Sequence, residues 1–90
     1  MRITWDRAKA ARNLAKHRVA FEEAASALED PRALTIEDEH YGEQRFVTVG
    51  SDLFGKMTVV VFTYPDKETI RIISARKATK HERAKYEKGI

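Results

Sequence analysis

Seven Lys or Arg residues lie between Arg71 and Lys88 against two carboxylates, Glu82 and Glu87, so this stretch carries a formal charge of +5. Fixed cations at that density make a surface that meets phosphate. Arginine stays charged and forks onto two phosphate oxygens, which suits Arg71 and Arg76 to holding charge on a reacting phosphate; Lys77 supplies a point charge or a proton. A proton acceptor is scarcer. His17, next to Lys16, is the best candidate by type, because imidazole exchanges protons near neutral pH. Placed at the end of a helix, it can equally close that helix by bonding its last carbonyls. The sequence leaves both roles open.

These side chains need elements to carry them. The run Arg71-Ile72-Ile73-Ser74-Ala75-Arg76-Lys77-Ala78 reads as a strand, followed by a basic helix from Lys80 to Lys88. Regular alternation puts Arg71 and Lys77 on one face with Ile73 and Ala75, and Arg76 on the other with Ile70, Ile72 and Ser74. Arg71 and Arg76 then reach one pocket only if the strand ends near Ala75; otherwise one of them is structural, for instance Arg71 paired with Glu43.

Upstream, Arg2 to Trp5 reads as a short strand, and Asp6 caps a helix from Arg7 to His17. On that helix Ala8, Ala11 and Ala15 make a small-residue stripe beside Leu14, and Lys9, Asn13 and Lys16 share a separate polar face. A second helix from Ala20 to Leu28 buries Phe21, Ala24, Ala25 and Leu28 and stops at Asp30-Pro31. Periodicity then changes to two, giving strands over Ala33–Glu37, Glu43–Gly50, Met57–Tyr64 and Thr69–Lys77. Their short connections, including Asp38 to Gly42, favour an antiparallel meander. Val59-Val60-Val61-Phe62, apolar on both faces, marks the central strand. The expected fold is α+β, with two N-terminal helices packed on a four-stranded antiparallel sheet, a short N-terminal strand and a C-terminal helix.

Ninety residues, 42% of them hydrophobic, make one domain spanning 1–90. Without cysteine there is neither a disulfide framework nor a cysteine-based zinc site, and a reducing cytosol is the natural compartment. No run approaches the ~18 apolar residues of a membrane span, and the start of the chain lacks a signal-peptide core. His17, His40 and His81 are scattered, so no metal site and no cofactor is expected. Charge is segregated: residues 1–20 carry six cations and one anion, residues 21–45 two and eight, residues 46–90 nine and five. One surface for phosphate and another for a different partner is the arrangement this suits.

Trp5-Asp6, Lys9-Ala10, Asn13-Leu14, Lys16-His17, Val19, Phe21-Glu22-Glu23-Ala24, Asp30-Pro31, Arg45-Phe46, Gly50, the block from Arg71 to Ala78, Glu82-Arg83 and Tyr86 together resemble the BrnT toxin family over nearly the whole chain. The resemblance implies a RelE-like fold and a ribonuclease that inhibits translation in a type II toxin–antitoxin system. It also implies a BrnA-like antitoxin as partner, in a hetero-oligomer such as a heterotetramer. Operator DNA is then contacted only through the antitoxin, in the cytoplasm and away from membranes. The family usually has Gly after the Lys-His pair; here Arg18 stands there, and it is strained if that position needs a positive φ.

RNA is cut without metal when its 2′-hydroxyl attacks the adjacent phosphorus, which takes a base, cations for the pentacoordinate dianion and an acid for the leaving 5′-oxygen. His17, Arg71, Arg76, Lys77 and Glu82 are the candidates for that chemistry, and Lys9, Lys16, Arg45, Lys80, Arg83 and Tyr86 for holding the RNA. Glu82 either orients a basic side chain or sits in solvent, and Tyr86 either stacks on a nucleobase or anchors its ring on the sheet. Trp5 is most simply an apolar anchor in the core or at the antitoxin interface. The nuclease reading requires cations from the first helix, the last strand and the closing helix to converge. The alternative is an inactive antitoxin- or RNA-binding module of the same fold, acting in autorepression.

Overall fold

The computed structural model describes residues 1–40 and 42–89. Its elements are β1 (Arg2–Trp5), α1 (Arg7–His17), α2 (Phe21–Ala27), β2 (Leu34–His40), β3 (Glu43–Ser51), β4 (Met57–Asp66), β5 (Thr69–Lys77) and α3 (Lys80–Lys88). The sheet has five strands in the order β1-β5-β4-β3-β2, and β4 is central, as its two-sided apolar sequence requires. This corrects the expected four-stranded antiparallel sheet. β2 to β5 do form an antiparallel meander, but β1 joins it as a fifth strand, parallel to β5. The connection from β1 to β5 runs through α1, α2 and the whole β2–β4 meander, ample chain for that parallel pairing. Asp38 and Glu39, expected in a loop, lie within β2, and the remainder of that loop includes Tyr41, outside the described residues. Among the described residues no helix is long and apolar enough to cross a membrane.

One face of the sheet carries the core. Phe21, Ala24 and Ala27 of α2 pack with Val60, Phe62, Ile70, Ile72 and Ala75. Trp5 sits half-buried beside this cluster, its ring edge-on to Phe21 at 6.0 Å between centroids. The two layers come close at Gly50, where a Cβ would stand 2.5 Å from the Ala27 carbonyl oxygen, so only glycine lets α2 rest on β3.

That Ile72 and Ala75 share the core face contradicts regular alternation, and a β-bulge explains it. Val61 pairs with Ser74 while Phe62 pairs with Ile72, leaving Ile73 as an extra residue on β5. The parity of the strand is inverted there. Arg71, opposite Thr63, and Arg76, opposite Val59, therefore lie on the same face, the one away from α2. The expectation that strand parity separates them is overturned by this single residue.

The expected packing of α1 is also corrected. Ala8, Ala11, Leu14 and Ala15 face solvent, and Asn13, on the face expected to be polar and open, is buried. Its amide is the reason. β1 covers β5 only as far as Ile72, and beyond it Asn13 substitutes for a strand. Its Oδ1 accepts from the Ala75 N–H at 3.1 Å, and its Nδ2 donates to the Ala75 carbonyl at 2.8 Å and the Val19 carbonyl at 3.0 Å. Three backbone groups satisfied by one side chain outweigh a few exposed alanines. Arg18 ends the helix at φ 61°, ψ 27°, its N–H bonded to the Leu14 carbonyl; the left-handed position is occupied by an arginine.

Candidate active site

Because Asn13 fixes α1 against β5 at the level of the bulge, its neighbours on the same helical face look onto Ile73. Lys9, Arg12, Lys16 and His17 line an open cavity of ≈ 360 Å³ with Asn13 and Ile73. A second hollow of ≈ 200 Å³ shares Lys9 and Ile73 with the first and adds Asp6, Glu43, Arg45, Thr63, Arg71 and Ile72. The shared residues make the two hollows one groove, running from the end of α1 across the bulge to β3.

The groove is cationic. Lys9, Arg12, Lys16, Arg45 and Arg71 face only two carboxylates within it. Asp6 is engaged in capping α1, where its Oδ1 accepts from the Ala8 N–H at 2.8 Å. Glu43 lies 3.6 Å from an Arg45 terminal nitrogen, so its partner is Arg45 rather than Arg71, although both arginines border the same hollow. Arg45 Nε is buried with no hydrogen-bond partner among the described residues. A buried donor without a partner is costly, and it marks Arg45 as held in place by its surroundings rather than by its own bonds.

The candidates at the far end of β5 and on α3 are arranged differently. Arg76 forks onto Glu82, its two terminal nitrogens donating at 2.9 and 2.8 Å to the two carboxylate oxygens. Glu82 in turn closes a capping box, accepting from the Thr79 N–H at 2.8 Å while its own N–H donates to Thr79 Oγ1 at 3.2 Å. The Arg76 guanidinium, and after it the Thr79 amide, hold the Glu82 carboxyl down to about 2, and the pairing pushes Arg76 above its ordinary value. The pair ties β5 to α3. Tyr86 is likewise an anchor: its hydroxyl donates to Asp30, in the turn after α2, and Arg32 lies over its ring at 5.8 Å. That bond is the main cause of a lowered Asp30 carboxyl and a raised Tyr86 phenol. Lys77, Lys80 and Arg83 are exposed and line neither hollow of the groove, which corrects the expected convergence: α1 and Arg71 of β5 meet, joined by Arg45 of β3, while the cations of the closing helix and of the end of β5 do not take part.

Of the candidates read from the sequence, the fold thus gathers Lys9, Lys16, His17, Arg45 and Arg71 into the groove. Arg76, Glu82 and Tyr86 stand outside it in bonded pairs. Arg12 was missed, although its position three residues after Lys9 and four before Lys16 places it on the same helical face. Ile73 was missed because a bulge leaves no mark in an apolar run.

The fold has a counterpart among solved structures. The chain is similar to the ribonuclease toxin BrnT of Brucella abortus, at 26% identity and a TM-score of 0.72, over 89% of this chain and 99% of that one. No curated protein matches it. Residues 5–82 match the family described as the ribonuclease toxin, BrnT, of type II toxin–antitoxin systems, and with the match extending from the end of β1 through β5 to Glu82, the chain belongs to that family.

Proposed function

We propose that the groove between α1 and β5 cleaves RNA without a metal ion, and that this cleavage stops translation until a BrnA-like antitoxin binds. One observation carries the reading: Lys9, Arg12, Lys16, His17, Arg45 and Arg71 are drawn from three elements to the two sides of one bulge. His17 takes the proton of the 2′-hydroxyl as that oxygen attacks phosphorus. Arg71 and Arg45, side by side in the second hollow, hold the equatorial oxygens of the dianion through their guanidinium groups. Lys9, common to both hollows, gives a proton to the 5′-oxygen as its bond to phosphorus breaks. The products are a 2′,3′-cyclic phosphate and a free 5′-hydroxyl. Arg76 and Glu82 act as positioning residues that set where β5 ends, while Lys77, Lys80 and Arg83 add to the field that draws RNA in. The antitoxin, in a hetero-oligomer such as a heterotetramer, makes the operator contacts.

The test is cleavage of an end-labelled RNA by the purified chain in excess EDTA. Cleavage should persist and leave cyclic phosphate ends; His17→Ala or Arg71→Ala should slow it by about 100-fold or more with the circular dichroism spectrum unchanged. Activity abolished by EDTA would overturn the metal-free mechanism. No cleavage of any RNA, with growth unimpeded by expression of the chain alone, would assign it to the inactive module.

A further inference from the structure

On the face of the sheet that also carries Arg71 and Arg76, away from α2, the β2–β3 end is apolar and open. Leu34 pairs with Val49 and Ile36 with Val47, so four branched aliphatic side chains form one patch. α3 lies along it without burying any residue of its own, and between helix and sheet remains a hollow of ≈ 490 Å³ lined by these four with His81, Glu82, Ala84, Lys85 and Lys88. Ile36 is 65% exposed. An apolar recess of this kind, rimmed by charge, is the signature of a protein-binding surface.

The rim identifies the occupant. Glu82 is neutralised by Arg76, which leaves Lys85 and Lys88 as the charges lining the recess that have no salt-bridge partner among the described residues. A segment that inserts apolar side chains and flanks them with carboxylates satisfies both features. None of the lining residues belongs to the cationic groove. We infer that the neutralising antitoxin docks here, through an amphipathic, acid-flanked segment seated between α3 and the Leu34, Ile36, Val47, Val49 patch, rather than by filling the RNA groove. Glu82 borders the recess and holds Arg76, so an occupant that moves α3 also shifts the end of β5. The inference rests on the toxin–antitoxin reading above.

The experiment uses the cognate antitoxin, separated in denaturant from the purified complex and refolded, titrated into the full chain by calorimetry. Ile36→Asp should weaken binding by about 30-fold or more and Lys85→Glu with Lys88→Glu by about 10-fold, while Lys9→Ala with Lys16→Ala stays within about 3-fold of the parent. Ile36 and both lysines are exposed, so the variants should keep the parent circular dichroism spectrum. Ile36→Asp should also leave RNA cleavage at the parent rate. Unchanged antitoxin affinity for Ile36→Asp, or a loss of affinity carried by Lys9 and Lys16 instead, would overturn the inference. So would an Ile36→Asp change that alters only self-association, which would give the patch to a second copy, or only cleavage, which would give it to RNA. If the parent cuts no RNA yet loses antitoxin through Ile36, the docking site stands and the nuclease mechanism falls.

Discussion

Arg18 holds a backbone conformation that side chains disfavour. An L-residue in the left-handed helical region sits roughly 1–2 kcal/mol above its alternatives, and glycine avoids this at the expense of about 0.5–1 kcal/mol of extra chain entropy. Arg18→Gly should therefore stabilise the chain by about 0.5–1 kcal/mol, read as a higher urea midpoint with an unchanged slope. A lower midpoint would mean that the arginine side chain makes a compensating contact. Asn13 is the opposite case. Asn13→Ala leaves the Ala75 N–H and two carbonyls without partners at a buried junction, which should cost about 2–4 kcal/mol and lower the melting midpoint by about 10 °C or more. A shift under about 3 °C would show that water replaces the amide and that α1 is held by other contacts. At this scale the sequence was legible where chemistry is local. Asp6 as a cap could be read from its residue type, and the turn at Arg18 only through the glycine that the family usually carries there, whereas the burial of Asn13 depends on an edge left open where β1 ends, far in sequence from Ala75.

At the scale of elements, α3 is attached by polar ties. It buries no side chain fully, and its fixed points are the Arg76–Glu82 pair at one end and the Tyr86–Asp30 bond at the other. Both carboxylates titrate below their ordinary range, Glu82 at about 2 against 4.5 and Asp30 in the same direction. A carboxylate depressed in the folded state contributes stability that is fully present above its unfolded value and is lost as pH falls toward the folded one. Both groups are open to solvent, so screening limits the Glu82 contribution to about 1 kcal/mol. Below pH ~4.5 and down to ~2, α3 should loosen while β4 and β5 remain intact. Nuclear magnetic resonance shifts of α3 and the Tyr86 ring, followed from pH 6 to 2, check this; shifts that stay flat to pH 2 would show α3 is held by its apolar contacts. The bulge belongs to this scale too. Alternation along β5 correctly assigned a strand but assumed its period unbroken, and one inserted Ile73 exchanged the faces of everything between it and Lys77.

Across the whole molecule, the segregation of charge seen in the sequence maps onto surfaces. The basic first twenty residues and the last strand meet in the groove, and the acidic middle of the chain supplies exposed Glu37, Asp38 and Glu39 of β2. The β2–β5 meander and the helix assignments were legible because each element is short, punctuated and periodic. The parallel seat of β1 was not, since a four-residue strand has no pattern that names its neighbour. β2 ends the sheet on one side, and its outward backbone groups offer a template on which any extended chain could build. Three adjacent acids act there as a brake on fibre growth. Replacing Glu37, Asp38 and Glu39 together with Gln should leave a dilute monomer folded yet make concentrated stocks scatter light and bind thioflavin; clear solutions would mean something else guards the rim. The open border of the sheet thus carries, in its own side chains, the charge that keeps another extended chain from pairing with it.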